Sequence, residues 1–166
     1  MISAIVAVDN NWGIGYNGDL LEHIPEDLKR FKQLTTGNVV VMGRKTWDSL
    51  PKKPLPDRLN LVISRQDRTI DFMTAFIGME EAKVRAGMAA KDPEDEWFVI
   101  GGGQIYEELL PYCDRVYVTK IYKDHENVDT YFPNLDKIDG WEIIGCAGPR
   151  EYNGIMYTFL TYDRLN

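Results

Sequence analysis

Histidine and cysteine are scarce in this chain of 166 residues, which contains two of each. A histidine-rich metal centre or a Ser-His-Asp triad would have to be built from His23 and His125 alone, so we expect neither, and no bound metal. Cys113 and Cys146 lack the C-x-x-C spacing of redox and zinc motifs. We therefore expect two free thiols in a reducing compartment.

Long hydrophobic runs and an excess of positive charge are also missing. No apolar segment approaches the roughly 20 residues that span a bilayer, and residues 1–13 lack the basic stretch that begins a signal peptide. With a net charge of −7, the surface repels phosphate polymers, so nucleic acid is a poor partner. The hydrophobic content of 44% is that of a folded protein. We expect one cytoplasmic, monomeric domain over residues 1–166 that binds neither nucleic acid nor a membrane.

Strand and helix patterns alternate along the chain. Alternation of this kind requires crossover connections, which predict an α/β fold with a mostly parallel sheet and helices on both faces. The turn-rich segment GPREYNG predicts a C-terminal hairpin that adds an antiparallel edge. The pattern predicts strands at 2–8, 38–42, 59–64, 73–77, 97–100, 115–122, 141–147 and 155–162, and helices at 25–35, 43–50, 79–89 and 104–110.

Two predicted strand-to-helix junctions are rich in glycine. In VVVMGRKT, Gly43 opens a helix, and in FVIGGGQIY three glycines, 101–103, separate a strand from a helix. Helix N-termini attract phosphate, and glycine lets phosphate approach the backbone. Neither junction matches G-x-G-x-x-G or a P-loop, so each alone equally indicates tight strand–helix packing. On neighbouring strands they would face one crevice, which predicts a dinucleotide site.

Basic residues lie beside these junctions. Arg44 and Lys45 follow Gly43, and Ser64 and Arg65 end the next predicted strand. Cations and a hydroxyl suit a phosphomonoester such as the 2′-phosphate of NADP, and no acidic residue ends that strand to bind a ribose hydroxyl. The alternative is a pair of solvated surface cations.

Asp27 is the most informative single residue. On a helix of 100° per residue, Ile24, Phe31 and Leu34 fall within about 60° of Asp27, which places it inside the apolar stripe. A carboxylate facing a core should have a raised pKa and a partner with donors. Alternatively it stabilises the helix dipole from the first turn, as Glu26 could equally do. We favour a pocket in which Asp27 binds a protonated or amidine-like ring.

These segments together resemble dihydrofolate reductase over nearly the whole chain. The resemblance implies a three-layer fold with an eight-stranded sheet and an antiparallel C-terminal strand. It implies NADPH-dependent reduction of 7,8-dihydrofolate to 5,6,7,8-tetrahydrofolate, with hydride passing from nicotinamide C4 to pterin C6. Asp27 would hold the pterin 2-amino group and N3 and promote protonation at N5. The matching segments are Ile2–Val8, Gly13-Ile14-Gly15, IPEDLKRFKQLT, VVMGRKTWDSL, PLPDR, VIGGGQIYEELLP, VYVTKI and DTYFP.

The resemblance also assigns binding positions and a cis peptide between Gly101 and Gly102. From the sequence alone, we expect Arg58 to cap a loop at the entrance of a strand, although it could also bind a carboxylate. The resemblance overturns that expectation and makes Arg58 the ligand of the α-carboxylate in the substrate's glutamate tail, with Leu55 beside the aminobenzoyl group. The other substrate positions are Ile5, Val6, Ala7, Leu28, Phe31, Leu50, Ile100 and Thr119. The cofactor positions are Ala7, Ile14, Gly15, Gly43, Arg44, Lys45, Thr46, Ser64, Arg65, Ile100, Gly102, Gly103, Gln104 and Ile105.

One segment departs from the family pattern. The family usually has Leu-Pro-Trp before the first helix, whereas this chain has Leu20-Leu21-Glu22. If Glu22 points inward, two carboxylates share a site and one pKa rises steeply; if it points outward, the pocket loses an aromatic wall. Proton delivery and antifolate affinity therefore do not follow from the resemblance. The segment belongs to the 15-residue loop 9–23, which we predict to be a lid that orders over NADPH.

Two other functions stay open at this point. A reductase of the same fold that acts on a pyrimidine-like riboflavin precursor would keep the NADPH site but would not need Asp27. A nucleotide-binding module would bind NADPH without turnover, and only the Leu21-Glu22 pair favours it. The acid inside the apolar stripe favours dihydrofolate reduction over both.

Overall fold

Short runs rich in β-branched residues form the central strands, and helices with one apolar side follow them. The structure, a computed structural model, describes the backbone of residues 1–65 and 68–166 and the side chains of residues 1–65 and 72–166. The elements are β1 Ile2–Val8, β2 Gly13–Tyr16, β3 Asp19–Leu20, α1 Pro25–Thr35, β4 Val39–Gly43, α2 Arg44–Ser49, β5 Leu59–Ile63, β6 Arg68–Asp71, β7 Thr74–Ile77, α3 Met79–Ala89, β8 Trp97–Gly101, α4 Gly103–Leu109, β9 Arg115–Ile121, β10 Thr130–Tyr131, β11 Trp141–Tyr152 and β12 Ile155–Arg164.

The main sheet has the strand order β11-β12-β9-β1-β8-β4-β5-β7-β6. All pairings from β9 to β7 are parallel, while β12 is antiparallel to both of its neighbours. The predicted α/β fold, with its antiparallel C-terminal strand, is therefore confirmed. A ninth strand joins the predicted eight because β6, which the sequence pattern did not indicate, pairs antiparallel with β7 at the edge.

Apolar cores lie on both faces of this sheet, as alternation along a strand requires. Val41 of β4 packs in a core that includes residues of α3 and α4. Its neighbour Val40 packs on the opposite face with Trp47 of α2 and Leu34 of α1. The result is the expected arrangement of three layers, with helices on either side of the sheet. In the described part of the chain the longest α-helices have 11 residues, and none could cross a membrane.

The 9–23 segment, predicted to be a loop, contains two short strands. β2 pairs antiparallel with β3 and with β10, forming a separate three-stranded sheet. The hairpin turn is Asn17-Gly18, and both residues have positive φ, 52° and 80°, the conformation that favours Asn-Gly in such turns. β2 was not predicted because its partner β10 lies more than a hundred residues away along the chain, and β3 has only two residues.

The C-terminal hairpin is longer than the sequence predicts. β11 continues to Tyr152 through Gly148-Pro149, and its register with β12 is irregular there. Proline is compatible with an edge strand at a bulge. The turn is instead Asn153-Gly154, again with positive φ at both residues. Both cysteines are free thiols, as expected.

Candidate active site

The two glycine-rich junctions lie next to each other, at the edge where the parallel strands end. β4 and β8 are neighbours, with Met42 aligned to Gly101. A Cβ added to Gly43 would lie 2.9 Å from Cγ1 of Ile105, and one added to Gly102 would lie 3.7 Å from Oγ1 of Thr46. Each junction therefore packs against the first helical turn of the other, which is the arrangement that a dinucleotide crevice requires.

Gly101 has a conformation that only glycine adopts readily. Its φ is +124°, and the Gly101–Gly102 peptide is cis, as the resemblance implies. A Cβ at Gly101 would lie 3.3 Å from the ring of Tyr106. The Tyr106 hydroxyl donates a 2.7 Å hydrogen bond to the carbonyl of Ile5. The glycine junction is thus held against β1, the strand that carries Ile5.

The predicted phosphate ligands follow adjacent strands. β5 lies beside β4, with Ile63 aligned to Gly43, so the strand ends bring Arg44 and Ser64 to neighbouring positions. Arg44 donates to Asp48 over 3.2 Å, and its guanidinium lies 5.3 Å from the ring centre of Phe76. The remaining cofactor positions of these junctions lie nearby, on the first helical turns and after β5: Lys45, Thr46, Arg65, Gly103, Gln104 and Ile105.

Asp27 is on the side of α1 that faces the sheet. The Thr119 hydroxyl, buried on β9, donates a 2.5 Å hydrogen bond to Oδ1 of Asp27. Burial raises the pKa of Asp27, and the Thr119 hydrogen bond and the charge of Arg30 only partly oppose this. Glu26 behaves differently: it accepts a 2.5 Å hydrogen bond from the Tyr157 hydroxyl and pairs with Arg150. Adjacent acids of one helical turn thus have separate environments, and Asp27 is the one turned inward.

Arg30 is part of this environment, and the sequence analysis did not select it. Its guanidinium lies 4.4 Å from the ring centre of Phe159 and 5.6 Å from that of Tyr117. Burial lowers the pKa of Arg30, and the nearby charge of Asp27 opposes that shift. Helical spacing could have indicated Arg30, because Asp27 and Arg30 are three residues apart on α1 and are therefore neighbours.

The sequence model of the family described as dihydrofolate reductase matches residues 1–164. The chain belongs to the dihydrofolate reductase family. The resemblance drawn from the motifs is therefore confirmed, and this protein is an enzyme of that family.

Named relatives extend over nearly the same length. The dihydrofolate reductase of Bacillus subtilis (strain 168) is 38% identical over 169 residues, which cover 100% of this chain and 96% of that protein. That of Mycobacterium leprae (strain TN) is 42% identical over 162 residues, covering 90% and 93%. That of Sus scrofa is 36% identical over 185 residues, covering 99% and 98%.

The apolar residues that the dihydrofolate reductase resemblance assigns to substrate are mostly brought together. Ile5, Leu50, Leu55 and Ile100 pack against the core on the face of α1 and α2, and Ala7 points to the same face because it is two residues from Ile5. Val6 does not join them, since its side chain packs in the core on the α3 and α4 face. Leu28 is 47% exposed, and Ile14 is buried in the same core as Val6.

Arg58, which the dihydrofolate reductase resemblance assigns to the glutamate tail, is buried just before β5. Its Nε donates to the carbonyl of Pro56 over 2.8 Å, and its Nη1 donates to Oγ1 of Thr35 over 3.0 Å. Neither contact is with a carboxylate. Burial lowers the pKa of Arg58, opposed by the charge of Asp57, but guanidinium stays charged in proteins. The guanidinium is therefore an oriented cation, as a carboxylate ligand should be.

Glu22 takes the outward alternative. Its Oε1 accepts hydrogen bonds from Nζ of Lys123 and from Nε2 of His125, both 2.9 Å long. Burial opposes ionisation of Glu22, but these hydrogen bonds and the two charges outweigh it and lower its pKa. The alternative in which Glu22 points inward and shares one site with Asp27 is therefore wrong. At the position where dihydrofolate reductases typically have tryptophan, this chain has Glu22, which forms an ion pair with Lys123.

Proposed function

We propose that this enzyme reduces 7,8-dihydrofolate to 5,6,7,8-tetrahydrofolate with NADPH, by hydride transfer from nicotinamide C4 to pterin C6 with N5 protonation promoted by Asp27. The observation that carries the proposal is the inward-facing Asp27, which accepts a 2.5 Å hydrogen bond from Thr119 and whose pKa is raised by burial. The family membership favours this reaction over reduction of a riboflavin precursor.

The glycine junctions support the cofactor assignment. Their surfaces are bare backbone, because side chains at Gly43 and Gly103 would lie 2.9 Å from Ile105 and 2.6 Å from Thr130. The helices that begin there, α2 and α4, have no side-chain hydrogen bond at their N-caps. Their first N–H groups can therefore bind phosphate oxygens, and Arg44, Lys45, Ser64 and Arg65 would bind the 2′-phosphate. Bound NADPH supplies the hydride.

Asp27 would bind the ring and stabilise its charge. A carboxylate accepts two parallel hydrogen bonds, so its oxygens match the N3–H and 2-amino group of a pterin. In a pocket shielded from water, a fixed negative charge stabilises a ring that gains positive charge on protonation at N5. Thr119 holds one carboxylate oxygen and so fixes the orientation of the group. Arg58, at the other end of the pocket, would bind the glutamate tail.

The test is Asp27→Asn, with NADPH oxidation followed by absorbance at fixed dihydrofolate across a range of pH. We expect the rate at neutral pH to fall by about 10²- to 10⁴-fold, the usual contribution of acid–base groups. The rate should recover partly in acid, where the substrate is already protonated.

Glu26→Gln is the matched control. It neutralises the neighbouring carboxylate, which binds Tyr157 and Arg150 instead of the pocket, and should leave the pH profile unchanged. If Asp27→Asn also keeps the parent's profile, Asp27 has no part in the chemistry.

A further inference from the structure

His125 lies between two carboxylates that come from opposite ends of the 9–23 segment. Its Nδ1 is 3.0 Å from Oδ2 of Asp9, and its Nε2 is 2.9 Å from Oε1 of Glu22. All three side chains are well shielded, with exposed fractions of 12% for His125, 1% for Asp9 and 18% for Glu22. Because ionised carboxylates only accept hydrogen bonds, the ring satisfies both contacts when both of its nitrogens carry hydrogen. We call these contacts the Asp9–His125–Glu22 link.

Asp9 connects the link to the backbone at the start of the segment. Its Oδ1 accepts hydrogen bonds from the amides of Asn11, at 2.9 Å, and Gly13, at 2.8 Å. Its other oxygen is the one that contacts His125. A change at the imidazole is therefore transmitted to the turn that leads into β2.

Glu22 connects the link to the other end of the segment, two residues before Ile24, which is buried and is the N-cap residue of α1. The same oxygen that contacts His125 also accepts from Nζ of Lys123. Lys123, His125 and the carboxylates of Asp9 and Glu22 thus meet in one cluster. Charge-assisted hydrogen bonds in a shielded site are stronger than neutral ones.

The middle of the segment is held by different contacts. The amide of Asn17 donates to Oδ2 of Asp129 over 2.8 Å, and the amide of Asp129 donates to the carbonyl of Gly15 over 3.0 Å. These contacts position the hairpin tip. The start of the segment is also held by the amide of Asn10, which donates to the carbonyl of Lys123 over 3.1 Å, and by the side-chain amides of Asn10 and Asn11, which donate to Oδ1 of Asp124. The link adds the contact that ties Glu22, at the other end of the segment, to the same cluster. Ile14 and Gly15 lie between the fixed points.

We propose that Glu22 and His125 are positioning residues, whose link to Asp9 closes the two ends of the 9–23 segment against residues 123–125 and thereby holds Ile14 and Gly15 in place for the cofactor. The first part stands on the observed contacts. The second rests on the proposed function, because Ile14 and Gly15 are among the positions that the resemblance assigns to NADPH.

The experiment compares Glu22→Gln, His125→Gln and the double variant by two measurements. The first is hydrogen exchange of amides 13–17 in the ligand-free protein, which we expect to quicken about three- to tenfold in each variant, while amides of β4 and β8 stay as protected as in the parent. The second is NADPH affinity, which should weaken about three- to tenfold as the competent segment conformation becomes less populated. The double variant should be no worse than the stronger single, because each change breaks the same link.

Two controls and one rescue separate this role from a general effect on folding. Glu126→Gln and His23→Gln make the same chemical changes at exposed positions next to His125 and Glu22, and should behave as the parent. His23→Gln also removes a 3.1 Å contact with Asp19, but this exposed pair contributes little to stability. His125→Lys supplies an ammonium group that can donate to both carboxylates, and should restore most of the amide protection.

Each outcome decides between the parts of the proposal. Exchange no faster than in the controls, or effects of the two single changes that simply add, would overturn the link. Faster exchange with unchanged NADPH affinity would support the link and contradict the cofactor role of Ile14 and Gly15. Loss of protection in β4 and β8 as well would overturn a local positioning role.

Discussion

Arg58 offers a sharp test of substrate recognition, because its surroundings hold it without using a carboxylate. Pro56 and Thr35 accept two of its hydrogen bonds, 2.8 and 3.0 Å long, and the side chain is 4% exposed. The planar fork is therefore oriented before any substrate binds. We expect Arg58→Lys and Arg58→Met to weaken binding of dihydrofolate specifically through its glutamate tail.

The expected rise in KM corresponds to the net loss of one charged hydrogen bond. A hydrogen bond to a charged group contributes about 1.5–3 kcal/mol, and about 1.4 kcal/mol corresponds to a factor of ten. Arg58→Met should thus raise the KM for dihydrofolate by about 10- to 150-fold. Arg58→Lys keeps the charge but loses the bidentate fork, so its effect should lie at the lower end of that range.

The assay compares the KM values of two substrates for each variant. One is dihydrofolate, and the other is the same pterin and aminobenzoyl group without the glutamate. Only the KM for dihydrofolate should rise, with kcat unchanged, because the lost contact is equally strong in the ground state and the transition state. An equal loss with the shortened substrate would refute the assignment and show that Arg58 acts only on the fold.

Arg115→Lys is the matched control for this comparison. Arg115 is bidentate to Asp163, over 2.7 and 3.0 Å, at the start of β9 and away from the pocket. The Arg115→Lys variant should leave the KM values of both substrates unchanged. Thermal unfolding of all variants ensures that kinetics are measured on folded protein, since Arg58→Met also removes two internal hydrogen bonds.

Two further predictions concern Asp27 and the cofactor phosphate. Thr119→Val and Arg30→Met each remove an influence that lowers the pKa of Asp27, so the ionisation of Asp27 should move to higher pH in the pH profile of hydride transfer. Arg30→Lys is the control and should keep the parent's profile. A shift to lower pH in either variant would contradict the electrostatic reasoning. Arg65→Ala should weaken NADPH far more than NADH, measured as a ratio of dissociation constants, and an equal loss for both would exclude a 2′-phosphate contact.

The sequence predicts best those elements whose signal is local. The helices 25–35 and 79–89 have the predicted bounds, and the buried strands of the sheet are displaced by no more than one residue at either end of β4 and β5. β2 and β10 were missed because they pair with each other from distant parts of the chain, and β3 because it has only two residues. β11 was predicted too short because Gly-Pro usually marks a turn, whereas here it lies within a bulged edge strand.

The candidate site shows the same division. Asp27 was found from helical periodicity, a property of a few adjacent residues. Its partner Thr119 and the orientation of Glu22 depend on contacts between segments about a hundred residues apart, so periodicity could not supply them. The opposite direction of Val6 could have been derived, because a strand alternates its faces.

Asp27, the inward-facing acid of α1, also affects the stability of the folded protein. Since burial raises the pKa of Asp27 in the folded state, its contribution to the free energy of unfolding is fully favourable below the pKa of the unfolded chain and is lost as pH rises through the folded value. At neutral pH, where metabolism runs, the protein thus retains a group that weakens its own native state. Selection for greater heat resistance alone would tend to remove that acid, whereas under the proposed function selection for activity would retain it.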